Sequence, residues 1–131
     1  MRKLPIAAAL SALVAIGGVL TAAPANADTA SCTLSPDAAN LVCIIFNPSN
    51  QQYASYWGQI NGESVGGLTQ AVYQCHVDNT GCALMTASNA NPTSSKTVAT
   101  GHAYKNCATF TDTYGNRYTN ICSPLVSVPI P

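Results

Sequence analysis

The sequence predicts a small, mainly β domain stapled by disulfides. We expect a sandwich or partly closed barrel built from hairpins, with one short helix near residues 50–60. Three observations carry this reading. Six cysteines, Cys32, Cys43, Cys75, Cys82, Cys107 and Cys122, lie in a chain of 131 residues. Turn-forming residues stand midway between consecutive cysteines. The segments flanking those turns are short and either apolar or alternating, which is the pattern of strands.

The first segment concerns destination rather than fold. Met1-Arg2-Lys3 is a basic start, Leu4 to Leu20 is almost wholly apolar, and Ala25-Asn26-Ala27 supplies small residues at its end. Those are the three parts of a secretory signal peptide. Residues 1–27 are therefore expected to be cleaved, leaving 28–131 as a single mature disulfide-rich domain, secreted and extracellular. The apolar run is near the lower limit for a membrane-spanning helix and contains Pro5. No later segment is apolar enough to span, so no membrane insertion is expected after cleavage.

An even number of cysteines in a short exported chain reads as a set of disulfides. Ser35-Pro36-Asp37-Ala38-Ala39-Asn40 lies between Cys32 and Cys43. Asp78-Asn79-Thr80-Gly81 lies between Cys75 and Cys82, and Asp112-Thr113-Tyr114-Gly115-Asn116 between Cys107 and Cys122. Pro, Asp, Asn and Gly make tight turns through preset φ, positive φ or side-chain bonds to the backbone. A turn midway between two cysteines places them opposite each other on a hairpin. The consecutive pairing 32–43, 75–82 and 107–122 is the one this argument favours among those open to six cysteines. A metal site of Cys and His is disfavoured, because no Cys-x2–4-Cys knuckle is present.

The elements follow in order. Leu41–Phe46 is an apolar run bounded by Asn40 and Asn47-Pro48, and reads as a buried strand. Tyr53, Tyr56, Trp57 and Ile60 stand at helical spacing. Ser49 and Gln52 have capping-box spacing, and Asn61-Gly62 offers a stop, which is why a helix is expected there. Gly58 and the aromatics are poor helix formers, so a loop or a strand is the alternative. Gly62–Gly67 is a glycine-rich connection. Thr69–Val77 alternates, with Ala71, Tyr73, Cys75 and Val77 on one face, and Cys82–Ala87 is its return strand. Ser88–Lys96 is a polar loop. Thr97–Thr111 and Asn116–Cys122 form a second hairpin, and Pro124–Pro131 is an edge strand or a frayed tail.

Composition excludes some functions. Beyond residue 27 only Lys96, Lys105 and Arg117 are basic, against Asp28, Asp37, Glu63, Asp78 and Asp112. A chain with so few bases has no electrostatic footprint for nucleic acid or anionic membrane. No phosphate-cradling loop or cofactor motif occurs. Gly62-Glu63-Ser64-Val65-Gly66 matches G-x-S-x-G, and Asp78 and His102 follow it in the order of a hydrolase triad. That elbow needs a parallel sheet covered by helices, which this pattern does not supply, so the segment reads as a turn and no catalytic residue is assigned. The carboxylates suggest no pair with a clear role, since the Asp residues read as turn formers. His76 and His102 read as surface residues of strands.

The aromatics are the better lead. Tyr53, Tyr56 and Trp57 fall close together, and Tyr114 sits at a turn tip. Exposed Tyr and Trp anchor interfaces because they bury large area at low entropic cost, although the same residues could instead form the core. The expectation is a small secreted non-catalytic binding protein for an extracellular protein or glycan, with Tyr114, Trp57, Tyr53 and Tyr56 as contacts. The alternatives are an inhibitor of a secreted hydrolase, presenting Ser88–Lys96, and a secreted toxin or antimicrobial protein. In size, export signal and stapling the chain resembles secreted bacterial inhibitor or chromophore-carrier domains, without a shared motif from which residue roles could be carried over.

Overall fold

The structure is a computed structural model that describes residues 28–47, 55–99 and 101–128. The proposed signal segment lies outside them. The described residues form strands and connections with no helix. In chain order these are β1 (Thr29–Leu34), β2 (Asn40–Asn47), β3 (Ser55–Gly62), β4 (Gly66–Cys75), β5 (Ala83–Ser88), β6 (Lys96–Thr97), β7 (Ala103–Thr111), β8 (Arg117–Cys122) and β9 (Val126–Ser127).

Two antiparallel sheets pack together as a sandwich. One has the order β1-β2-β3-β6. The other has the order β5-β4-β7, with β8 and β9 following one another along the free side of β7. The proline-punctuated tail thus contributes an edge strand at Val126–Ser127, where its prolines block no interior ladder bond.

The helix expected near 50–60 is replaced by β3 where the structure describes it; residues 50–54 lie outside the described residues. Ser55 to Gly62 pair along their whole length with β2, Tyr56 opposite Phe46 and Ile60 opposite Val42. The spacing of Tyr56, Gly58 and Ile60 also fits period two, and those three are buried while Ser55, Trp57 and Gln59 are half-buried. Strand pairing and the low helix propensity of Gly58 and the aromatics decide between the two periods.

The core between the sheets has two apolar clusters. One holds Ile44, Tyr56, Val72, Tyr104 and Val128; the other holds Val42, Ile60, Ala108 and Phe110. Tyr56 and Tyr104 stack across the sandwich with ring centroids 4.3 Å apart. Between the clusters lies a polar layer. Asn106 Nδ2 donates to Gln70 Oε1 at 2.8 Å and to Cys43 O at 3.0 Å, and both side chains are fully buried. Gly58 is required beside it, because a Cβ there would lie 2.6 Å from Asn106 Cγ.

The disulfides join Cys32 to Cys43, Cys75 to Cys82 and Cys107 to Cys122. Cys32 stands directly opposite Cys43 in the β1–β2 register, and Cys107 opposite Cys122 in the β7–β8 register. Their Cα atoms are 4.1 and 3.9 Å apart, the close spacing of facing residues on adjacent antiparallel strands.

The Ser88–Lys96 loop is tied to the edge of β3. Thr93 is buried, its Oγ1 accepting from Gly58 N at 2.8 Å and its N donating to Gly58 O at 2.9 Å. Asn91 exchanges bonds with Ile60, accepting from its N at 2.9 Å and donating to its O at 2.8 Å. The loop therefore completes the edge of β3 with the Asn91 and Thr93 side chains and the Thr93 backbone N.

Candidate functional site

One end of the sandwich gathers three connections: the β1–β2 turn (35–39), the β3–β4 loop (63–65) and the β7–β8 turn (112–116). Register brings them together. Asn40 faces Gly62 across β2 and β3, and Gly66 faces Thr111 across β4 and β7.

The β7–β8 turn is tightly organised by Asp112. Its Oδ1 accepts from Tyr114 N and Asn116 N, each at 2.9 Å, and its Oδ2 accepts from Asn116 Nδ2 and Tyr118 Oη, each at 3.1 Å. Gly115 takes φ +87°, a conformation that side chains disfavour, and so lets the turn close. Burial pushes the Asp112 carboxyl up, but the bonds from Asn116, Tyr114 and Tyr118 outweigh it and hold the group below the usual carboxylate range. On this frame Tyr114 is 87% exposed.

The same end concentrates negative charge. Oxygens of Asp37, Glu63 and Asp112 all lie within 4.8 Å of one another. Asp37 caps its own turn, taking bonds from Ser35 Oγ and from Ala39 N at 3.1 Å. Glu63 Oε2 accepts from Thr113 Oγ1 at 3.4 Å, whereas its Oε1 is buried without a partner. Arg117 donates to Gly67 O and Thr111 Oγ1, each at 3.0 Å. The Tyr118 hydroxyl is pushed up by burial, by its bond to Asp112 and by the charges of Asp112, Asp37 and Glu63. These three carboxylates are the described group of three placed to hold a cation.

Sequence reasoning missed this group, because each acid sits in its own turn and none is near another in the chain. The available signal was parity. In consecutive antiparallel strands the β1–β2 and β3–β4 connections fall at one end, so Asp37 and Glu63 had to share it.

The other candidates separate. Tyr56, expected as a contact, is a core residue with no exposed surface, because period-two alternation on β3 turns it inward onto Tyr104. Trp57 is its neighbour on the opposite face of β3, half-buried on the outside of the sandwich. Tyr53 lies outside the described residues. Ser64 lies at the turn end, whereas Asp78 and His102 lie at the opposite end, where Cys75 pairs with Ala103. The length of β4, roughly 30 Å for a ten-residue strand, stands between them, so the triad written from the sequence does not assemble. His76 and His102 face each other there with ring centroids 6.4 Å apart.

A shallow recess on the outer face of the second sheet is lined by Tyr73, Cys82, Lys105, Cys107, Asn120 and Cys122. Lys105 Nζ is engaged there by Asn79 Oδ1 at 3.1 Å.

Among the described residues, no helix is long and apolar enough to cross a membrane. Comparison with protein-family models, curated proteins and solved structures returns no match.

Proposed function

We propose that this chain is a secreted, non-catalytic binding protein that meets an extracellular protein or glycan with the turn end of its sandwich. The observation that carries the reading is Tyr114. A tyrosine 87% exposed, on a turn held by four hydrogen bonds to Asp112, is an aromatic anchor that loses little freedom on binding. Exposed Leu34 and Leu41, paired with each other beside the β1–β2 turn, add apolar surface at the same end. Three intramolecular disulfides are typical of extracellular proteins, and the basic, apolar and small-residue segments of 1–27 supply the route.

The test is an affinity capture from culture supernatant and solubilised envelope, read by mass spectrometry. Wild-type protein and Tyr114→Ala serve as parallel baits. The reading expects a partner enriched by wild type and depleted with Tyr114→Ala. Equal enrichment by both baits would remove Tyr114 from the interface. A single hydrolase, captured and inhibited, would move the assignment to the inhibitor class.

A further inference from the structure

The chain contains two histidines, and the fold sets them opposite each other. β4 and β7 pair Gln74 with Tyr104 and Cys75 with Ala103. The same register carried one residue further places His76 opposite His102. Their backbones bond outward, away from each other. His76 N donates to Thr80 O and His76 O accepts from Asn79 N, each at 2.9 Å, while His102 O accepts from Val128 N at 2.8 Å. That is the non-hydrogen-bonded kind of antiparallel pair, in which facing Cα atoms come to about 4.5 Å and side chains stand closest.

Both rings lie on the inner face of their sheet, at its open rim. Alternation along β4 and β7 puts them in one row with Val72, Gln74, Tyr104 and Asn106, whereas Lys105 is on the outer face. His76 is exposed and His102 half-buried, so ions reach both. The β4–β5 turn shapes one side of the pair. Gly81, at φ +60°, closes against the His76 ring, where a Cβ would lie 2.5 Å from Cδ2 and 2.7 Å from Nε2. Nδ1 is the ring atom opposite that edge and is directed away from the turn. Asp78 stands in the same turn. Bonds from Thr80 hold its carboxyl below the usual carboxylate range, and the nearby His76 adds to this.

We propose that His76 and His102 together bind one divalent transition-metal ion, copper(II) most tightly. Imidazole nitrogen suits copper, nickel and zinc. A metal–nitrogen bond of about 2.0–2.1 Å places two imidazole centres that share an ion about 5–6.5 Å apart, according to the angle at the metal. The two centroids are 6.4 Å apart, at the wide end of that range. Rotation about the side-chain torsions of two accessible rings draws the nitrogens inward with the backbone in place. Asp78 supplies a nearby negative charge, and water fills the remaining positions. All six cysteines are in disulfides, so no thiolate competes for the ion or reduces copper(II). With two protein ligands and no imposed geometry, preference follows intrinsic affinity, copper(II) above nickel(II) and zinc(II). The bound ion would clamp β4 to β7 where their ladder ends.

Calorimetric titration of the untagged, disulfide-bonded protein with copper(II) glycinate tests this, together with electron paramagnetic resonance of the complex. The expected result is one equivalent bound, with hyperfine splitting from imidazole nitrogen. His76→Ala and His102→Ala should each weaken copper binding by about tenfold or more, since losing a ligand costs at least as much as losing a group that orients one. Neither ring belongs to the two apolar clusters of the core, so circular dichroism of the variants should match wild type. His76→Gln and His102→Gln, which keep a polar side chain, give a second pair with the same expected loss. Copper binding unchanged in either single variant, absence of imidazole splitting, or two equivalents each lost with one histidine overturns the proposal. The pair lies at the end of the sandwich opposite Tyr114 and the readout uses no protein or glycan partner. Its failure therefore leaves the Tyr114 interface untouched, and loss of partner capture leaves the metal site untouched.

Discussion

Asn106 on β7 donates through one amide nitrogen to Gln70 Oε1 on β4 and to Cys43 O on β2, tying the two sheets together at a fully buried point. Gln70 passes the network on, donating to Ala90 O at 2.9 Å in the loop that edges β3. The sheets are thus registered by directional bonds as well as by apolar packing.

Asn106→Ala should destabilise the protein by about 2–3 kcal/mol, because Gln70 Oε1 and Cys43 O lose their shared donor while buried. Urea denaturation of the oxidised protein checks this. A change under about 0.5 kcal/mol would show that the layer contributes little net stability.

Gly58→Ala should cost a comparable amount, about 1–3 kcal/mol, by overpacking. Its Cβ would lie within 2.8 Å of three atoms of the Asn106 amide, which is anchored at both acceptors. The same denaturation series reads it.

Tyr56 and Tyr104 stack but differ at their hydroxyls. Tyr104 Oη accepts from Ala99 N at 2.7 Å and donates to Gln74 Oε1 at 2.9 Å, whereas the buried Tyr56 hydroxyl has no partner. Tyr104→Phe should therefore destabilise by about 1–2 kcal/mol, and Tyr56→Phe should be neutral or stabilising. Thermal or urea midpoints of the two variants should move in different directions or by clearly different amounts.

Burial first, and the neighbouring Tyr104 second, push the Tyr56 hydroxyl up to about 12 from 10.0. The fold favours the neutral phenol. This contribution is whole below the ordinary tyrosine value and is lost as pH climbs through about 12. Tyrosinate absorbance followed alongside near-ultraviolet circular dichroism should show ionisation coupled to unfolding in that window. Tyr56→Phe should move the alkaline transition to higher pH.

Each disulfide closes a short loop, with sequence separations of 7, 11 and 15. Chain entropy then predicts a loss of roughly 2–3 kcal/mol per pair replaced by serine, smallest for Cys75–Cys82 and largest for Cys107–Cys122. Denaturant midpoints of the three paired variants test the ranking.

Much of the fold was legible because it is local. The hairpins at 75–82 and 107–122 are written in Asp, Asn and Gly set midway between cysteines, and the apolar run Leu41–Phe46 lies within β2. The helical spacing of Tyr53, Tyr56, Trp57 and Ile60 misled because Tyr56 and Ile60 fit period two as well, and pairing with β2 chose between the periods. Tyr114 was legible as a turn-tip aromatic for the same local reason.

What the sequence determined by itself, then, was a set of turns and strand faces, each decided by neighbours a few residues apart, together with the cysteine pairs those turns bring opposite. Only the tertiary structure decided that Tyr56 is core, that Asn106 donates to Gln70 and across the sandwich to Cys43 O, and that Asp37, Glu63 and Asp112 meet. Those outcomes depend on which sheets face each other and in what register. That is settled by the joint burial of apolar faces and the pairing of buried polar groups across the whole sandwich, and no local segment carries that information.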